Sequence, residues 1–168
     1  MPGTIQIRPI RPQDKAALAD GFARLGDESR YRRFLAPRGR LTSAELRYLT
    51  EVDHHDHEAL VALDGLTGEG IGVARYVRLP DRPHTAEMAI AIADDRQGHG
   101  VGTQLAQALA DRARAEGIDT FTAVILAANP SVMAVLRDVG TVHTVRRDAG
   151  TVELTVDLAD AAPDRISA

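Results

Sequence analysis

Three glycines stand at alternate positions where a strand-like stretch of sequence gives way to a helical one. The segment is Gln97-Gly98-His99-Gly100-Val101-Gly102. Without a Cβ atom, glycine adopts unusual backbone dihedrals and lets the main chain approach a ligand closely. A helix that begins here presents unpaired N–H groups and the positive end of its dipole, and both favour phosphate. The pattern predicts a pyrophosphate cradle, with a simple chain reversal as the plainer alternative.

Three known phosphate-binding motifs are possible interpretations of this segment. A P-loop needs a lysine after its last glycine, and the segment has none. The dinucleotide fingerprint needs a glycine where Thr103 stands, and it opens a βαβ unit rather than following a β-meander. The third cradle is Gln/Arg-x-x-Gly-x-Gly/Ala, the coenzyme A motif of the GNAT superfamily of N-acetyltransferases. Residues 97–102 match it in full, so the chain resembles that superfamily.

The elements that must position the cradle follow from hydrophobic periodicity. Strand-like patterns occupy residues 4–10, 58–63, 71–79, 85–93 and 120–127, and a final pair of strands ends near residue 158. Helical patterns occupy residues 16–25, 28–35, 42–49 (behind a capping box), 101–116 and a short stretch after Asn129. Short connections favour an α/β (α+β) fold with helices packed on one mixed sheet. The resemblance implies the GNAT fold, with a mostly antiparallel seven-stranded sheet.

Composition excludes several other classes of function. The chain of 168 residues has no cysteine, which removes disulfides, thiolate zinc sites and cysteine nucleophiles. Its formal charge of −4 argues against a general nucleic-acid binder. No apolar run approaches the ~20 residues that span a bilayer. We expect a cytoplasmic protein that binds neither nucleic acid nor membrane, with one domain over residues 1–158 and a flexible tail at 159–168.

Three further segments resemble one group within the superfamily, the bacterial Pat-type protein lysine acetyltransferases. They are Ala86-Glu87-Met88-Ala89-Ile90-Ala91-Ile92, Glu28-Ser29-Arg30-Tyr31-Arg32-Arg33-Phe34, and residues 53–62. The resemblance implies transfer of an acetyl or short acyl group from acetyl-CoA to a primary amine by direct attack. A protein lysine is the expected acceptor and a small-molecule amine the alternative. No metal is expected, and a homodimer is the candidate assembly.

The resemblance also implies roles for individual residues. An alkylammonium has a pKa near ~10.4, so a base must help to supply the neutral amine. That base would be Glu87, with its pKa raised by partial burial; the alternative is a solvated position on the sheet. Backbone N–H groups near residues 90–92 would stabilise the oxyanion. The residues expected to bind the donor are Ile90, Ala91, Ile92, Gln97, Gly98, His99, Gly100, Val101, Gly102, Thr103 and Asn129.

The helix after Asn129 leaves two questions open. Asparagine before Pro130 is an ordinary helix N-cap, and the resemblance adds a contact with the pantetheine arm or the substrate. The tyrosine that usually serves as general acid falls on Leu136. Either another group or water protonates the thiolate, or the protein is a weak enzyme. The missing tyrosine suggests the rival from another class, a CoA-binding regulatory module with little catalysis.

Two polar clusters admit both a functional and a structural interpretation. Residues 54–57 contain three histidines and an aspartate, which suggest a metal site. Consecutive ligands rarely converge on one ion, so we prefer a polar turn before a strand, near the entrance for the acceptor. Arg30, Arg32 and Arg33 suggest a basic patch, but a solvated helix face is the preferred interpretation.

Overall fold

A computed structural model describes residues 3–34, 39–127 and 129–158. The strands are β1 (Ile5–Pro9), β2 (His57–Asp64), β3 (Gly70–Leu79), β4 (Arg82–Ile92), β5 (Thr120–Leu126), β6 (Gly140–Asp148) and β7 (Thr151–Leu158). The α-helices are α1 (Lys15–Arg24), α2 (Asp27–Phe34), α3 (Ser43–Thr50), α4 (Val101–Ala115) and α5 (Pro130–Val139). Short 3-10 turns occupy Pro12–Asp14 and Asp94–Arg96. None of the described helices has the length and apolar character needed to cross a membrane.

The strands form one sheet in the order β1-β2-β3-β4-β5-β7-β6. All neighbouring pairs are antiparallel except β4 and β5, which are parallel. The predicted mixed, mostly antiparallel seven-stranded sheet is therefore confirmed. Among the described strands the last, β7, lies between β5 and β6, so the two edge strands are β1 and β6. The tail predicted at residues 159–168 lies outside the described residues.

Local sequence signals account for several elements. At the start of α3 the Thr42 hydroxyl accepts from the Glu45 N–H at 3.1 Å, and the Glu45 carboxylate accepts from the Thr42 N–H at 2.7 Å. This is the predicted capping box, which satisfies two N–H groups that a helix start leaves unpaired. In β7 the buried residues alternate with polar ones, because one face of the strand packs on the core.

The main core lies between the sheet and the pair of helices α4 and α5. Leu105 and Leu109 of α4 and Leu136 of α5 are 0% exposed there. A Cβ atom at Gly72 would lie only 2.9 Å from Leu105 Cδ1, so α4 packs closely on β3. A smaller core around Ile10 lies on the opposite face of the sheet, the face of α1–α3. The sheet is thus covered differently on its two sides.

Candidate functional site

The strands β4 and β5 pair over only three positions, the last of which is Glu87 opposite Thr122. Beyond that point β4 continues to Ile92 and β5 to Leu126 without pairing. The strands diverge, and a cleft of about 420 Å³ opens between them and α5. That volume lies within the range of small-molecule and cofactor sites, roughly 300–1,000 Å³. We refer to it below as the donor cleft and to its closed end at Glu87 as the fork.

Main-chain groups of β4 face the donor cleft in an alternating pattern. The Ala93 N–H donates to the Ile71 carbonyl of β3 at 2.9 Å. Because hydrogen-bonding direction alternates along an antiparallel strand, the N–H and C=O groups of Met88, Ile90 and Ile92 point away from β3, toward the cleft. The Met88 N–H still pairs with β5 at the Glu87–Thr122 position, whereas the Met88 C=O and the main-chain groups of Ile90 and Ile92 have no partner in β5. They offer a row of backbone donors and acceptors to an extended ligand.

The predicted donor-binding residues of β4 therefore differ in their orientation. Ile90 and Ile92 present their main-chain groups to the donor cleft, whereas those of Ala91 pair with β3. The Ile92 carbonyl accepts from the Gln97 side-chain amide at 3.1 Å, which confirms that it points to the cleft side. The side chain of Gln97 thus fixes the start of the glycine segment against the end of β4.

The glycines of the cradle divide into two kinds. Gly98 and Gly100 have left-handed φ angles of 79° and 83°, and a Cβ atom on either would meet nothing within 4 Å. At Gly102 a Cβ atom would lie 3.3 Å from Val135, so this glycine permits close packing of α4 on α5. Because α4 begins at Val101, its unpaired N–H groups border the open space beside Gly98 and Gly100. That space fits a diphosphate.

Contacts from distant parts of the chain hold the cradle in place. The Asp94 carboxylate accepts from the Gly26 N–H at 2.8 Å and from the Ser29 hydroxyl at 2.5 Å, at the start of α2. Arg96 forms an ion pair with Asp64 at 2.8 Å, at the end of β2. Ser29 and Arg96 also line the donor cleft. The sequence reasoning missed these residues because their partners are remote in the chain.

Other predicted residues of the cradle make different contributions. The side chain of Val101 is 2% exposed and packs in the core, and the exposed His99 side chain does not line the cleft. The backbone of these two residues is what remains available to a ligand. Thr103 does line the cleft, and its hydroxyl donates to Asp138 of α5 at 3.1 Å.

Asn129 lies at the start of α5 and lines the donor cleft, with 6% of its surface exposed. Asn129 occupies the predicted N-cap position of α5, but its side chain makes no capping hydrogen bond. Within the described part of the chain, the side-chain amide has no hydrogen-bond partner. The polar atoms of this amide are not fully enclosed by protein, so a ligand in the cleft can bond to them. Of the two alternatives for Asn129, the structure favours the ligand contact.

Glu87 is exposed, so the expected partial burial is wrong. Its side chain lies on the α1–α3 face of the sheet, because neighbouring Ala86 and Met88 are buried on the α4 face. Beyond β4 that face is open: Val124 of β5 is 47% exposed. Glu87 therefore reaches the fork from the side opposite α4, where an acceptor can approach from solvent.

The position at which a general acid is expected holds a residue of the hydrophobic core. Leu136 is 0% exposed in the core, not in the cleft. Tyr48 and Tyr76, whose side chains are described, do not line the cleft. Burial raises the pKa of Tyr76 to about 12, and its hydroxyl donates to the His55 carbonyl. The hydroxyl that α5 places at the cleft is that of Ser131, which no sequence motif indicated.

The histidine segment mainly joins β2 to α4. Glu58 is 1% exposed and contacts Arg112 at 3.3 Å and His54 at 2.7 Å, while His55 contacts Glu116. These residues lie at the C-terminal end of α4, remote from the cradle at its N-terminal end, and the expected position near the acceptor entrance stays a prediction, with His57 two strands from Glu87 in the same row of the sheet. No group of three metal-ligating side chains occurs among the residues that the structure describes.

Arg30 and Arg33 of α2 do not form the expected solvated helix face. Arg30 donates to the carbonyls of Phe22 at 3.2 Å and Ala23 at 3.0 Å, and its guanidinium lies 4.9 Å from the centre of the Phe22 ring. It joins α2 to α1. Arg33 lines the donor cleft. The side chain of Arg32 lies outside the described residues.

Comparison with known proteins gives a consistent result. The family model of the acetyltransferase (GNAT) domain matches residues 4–142. The acetyltransferase Pat of Mycolicibacterium smegmatis is 37% identical over 152 residues, which are 90% of this chain and 45% of that protein. An L-methionine sulfoximine/L-methionine sulfone acetyltransferase of Pseudomonas aeruginosa is 38% identical over 86 residues, 48% of each chain. This chain thus spans about half the length of these two relatives.

Among solved structures, the GNAT domain of S. lividans PAT is similar over almost the whole chain. The TM-score is 0.84 at 34% sequence identity, covering 93% of this chain and 92% of that one.

Proposed function

Since the chain belongs to the GNAT acetyltransferases, which use acetyl-CoA, we propose that it transfers an acetyl group to a primary amine, and that this amine is a protein lysine. One observation carries the proposal: the donor cleft extends from the glycine cradle to a fork that ends at Glu87. Such a cleft suits a long ligand with a diphosphate at one end and a reactive group at the other.

The residues of the cleft fit the parts of acetyl-CoA. The N–H groups at the start of α4 and the open space at Gly98 and Gly100 would hold the diphosphate. The unpaired main-chain groups of β4 and the amide of Asn129 would hold the pantetheine arm. The thioester supplies an activated acyl carbon, and the Ile90 N–H group beside the fork would stabilise negative charge on its oxygen.

The reaction needs two proton transfers, one from the amine and one to the departing thiol, and they would take place on opposite sides of the fork. Glu87, exposed beside the fork, would take a proton from the amine, directly or through water. The departing thiol has a pKa near ~8.5, so water or the Ser131 hydroxyl could protonate it without a strong acid. This arrangement removes the need for a tyrosine at Leu136. It also favours an enzyme over a CoA-binding module that lacks catalysis.

The choice of acceptor rests on charge and space. Glu87, Glu153 and Asp157 are exposed on the same face of the sheet, where their charges suit a cationic lysine side chain. The similarity to Pat supports the same choice. The similarity to the methionine sulfoximine acetyltransferase keeps a small-molecule amine as the second candidate.

Substitution of Glu87 tests the mechanism. We expect Glu87→Gln to lower kcat by about 10²–10⁴-fold, because general-base catalysis contributes that much. The Kd for acetyl-CoA, measured by calorimetry, should stay nearly unchanged. Glu51→Gln, at an exposed glutamate after α3 that does not line the donor cleft, is the matched control and should keep wild-type kcat. Full activity of Glu87→Gln would show that the base is another group, and binding without any turnover in the wild type would support the regulatory module.

A further inference from the structure

A second cavity, of about 100 Å³, lies on the α1–α3 face of the sheet. Its walls are mainly apolar and include Phe22 of α1 and Val61 of β2. It shares three lining residues, Leu25, Arg33 and Ala91, with the donor cleft. The two spaces therefore adjoin along β4, close to the segment where the acyl end of the donor would lie. We call the second space the side cavity.

Arg75 of β3 is a charged residue in the wall of the side cavity, and it is 5% exposed. Its Nη1 donates to the Leu49 carbonyl at 3.1 Å and to His57 Nε2 at 3.0 Å. Its other guanidinium nitrogens have no hydrogen-bond partner within residues 3–34, 39–127 and 129–158. Burial, followed by the nearby Arg33 charge, lowers the pKa of Arg75 to about 9.

No carboxylate of the described residues lies within 4.0 Å of Arg75. The carboxylate that does line the side cavity, Asp14, is held by two hydrogen bonds from Arg8, each of 2.8 Å. A buried cation without an anionic partner is strongly disfavoured. The side cavity thus combines apolar walls with one arginine, Arg75, whose charge no carboxylate in the described part of the chain balances. This chemistry suits a short chain ending in an anion.

We propose that the side cavity receives the acyl chain of the donor and that Arg75 binds a carboxylate at its end. The preferred donor is then the CoA thioester of a short dicarboxylic acid, such as succinyl-CoA. A cavity of about 150 Å³ holds benzene, so the smaller side cavity has room for a few heavy atoms beyond the carbonyl. This inference rests on the proposed function, because it assumes that the donor occupies the donor cleft.

The transfer itself is chemically the same as for acetyl. The amine nitrogen bonds to the thioester carbon, the C–S bond breaks, and the amine proton passes to Glu87 or water. The CoA thiolate leaves with the electron pair of that bond and takes up a proton. The distal carboxylate is unchanged, so a lysine that was positive becomes an amide with a negative end.

Three donors test the proposal with one acceptor: acetyl-CoA, butyryl-CoA and succinyl-CoA, of which the last two have acyl chains of similar length. We expect kcat/KM for succinyl-CoA to exceed that for butyryl-CoA by about tenfold, because the carboxylate gains charge-assisted hydrogen bonds. In Arg75→Gln this ratio should fall to about one or below. Arg147→Gln, a change at an exposed arginine of β6, should keep the wild-type ratio. Calorimetric Kd values for the same donors provide a readout that needs no acceptor.

A second variant blocks the side cavity without touching Arg75. Gly21 of α1 lines it, and a Cβ atom there would meet nothing within 4 Å. Gly21→Leu also favours the helix. It should lower kcat/KM for succinyl-CoA and butyryl-CoA relative to acetyl-CoA. Because each result is a ratio within one variant, a general loss of folded protein does not imitate it.

The outcomes separate the two proposals. Turnover of acetyl-CoA with no preference for succinyl-CoA, or a preference that persists in Arg75→Gln, overturns the present inference alone. An Arg75→Gln variant with a raised KM for the acceptor and an unchanged donor ratio overturns it too, since the arginine would then bind the acceptor. A protein that binds none of the three donors contradicts the proposed function itself.

Discussion

At the scale of residues, His57 and Arg75 show how one buried contact sets a charge state. Arg75 donates to His57 Nε2 at 3.0 Å, so that nitrogen carries no proton. Burial, and then the positive charge of Arg75, lowers the pKa of His57 to about 4 from an ordinary value of 6.5. The imidazole is therefore neutral in the folded protein at pH values where the unfolded chain is already protonated.

This pKa difference predicts a loss of stability in mild acid. As the pH falls through ~6.5, His57 takes up a proton in the unfolded chain, whereas the folded protein takes it up only near pH 4. The contribution of His57 to the free energy of unfolding is complete above pH ~6.5 and declines toward pH 4, by on the order of 1–2 kcal/mol for a half-buried ring. Urea unfolding at pH 7 and pH 5 measures it.

His57→Gln keeps an acceptor for Arg75 but removes the titration, so its stability should change less between pH 7 and pH 5. His143→Gln, at an exposed histidine of β6, is the control and should resemble the wild type. Equal pH dependence of His57→Gln and the wild type would contradict the assignment.

At the scale of elements, the start of α4 combines a left-handed backbone, which glycine adopts without strain, with open space. Gly100 has a φ of 83°, and Gly150, in the turn between β6 and β7, has a φ of 86°. Both positions are open, since a Cβ atom at either meets nothing within 4 Å. They differ in what surrounds them: Gly100 lines the donor cleft and Gly150 does not. The same substitution made at Gly100 and at Gly150 therefore separates the effect of backbone strain from the effect of losing the binding site.

Valine at either position should cost about 1–3 kcal/mol of stability, because a β-branched residue is strained at positive φ. Only Gly100→Val should also weaken acetyl-CoA binding, by at least about 100-fold, since its side chain occupies the space proposed for the diphosphate. Thermal unfolding and calorimetry measure the two effects. Equal acetyl-CoA affinities in Gly100→Val and Gly150→Val would place the diphosphate elsewhere.

At the scale of the whole molecule, the acceptor side of the sheet is only partly covered. Helices α1–α3 pack over its β1–β4 half, whereas Val124 on β5 is 47% exposed and Glu153 on β7 is exposed. The open half begins at Glu87. It would give the proposed acceptor, a folded protein bearing an exposed lysine, direct access to the fork, which a site closed around a small molecule would not.

Labelled acetyl-CoA incubated with a cell lysate and the enzyme tests this difference. We expect the label to appear in protein and to be stable to hydroxylamine, as an amide is. The Glu87→Gln variant, which binds the donor without the base, should leave the lysate unlabelled. Label confined to small molecules would favour the second candidate acceptor.

Features set by neighbours in sequence could be predicted, whereas features set by distant contacts could not. The capping box of Thr42 and Glu45 depends on residues three apart, and the glycine cradle lies within one segment. The exposure of Glu87 depends on which helices cover its sheet face. The free amide of Asn129 depends on how α5 meets the donor cleft. No local pattern determines these two properties.

The short pairing between β4 and β5 has a consequence for how this protein is held together. The backbone hydrogen bonding that runs across the sheet is interrupted at the donor cleft, so the sheet consists of two leaves, β1–β4 and β5–β7–β6, whose strands pair at only three positions. A donor bonded to the free edge of β4 would lie in the gap between the leaves. Its binding energy adds directly to the stability of the folded state. Until it reacts, the bound donor would then stabilise the fold by linking the two leaves of the sheet.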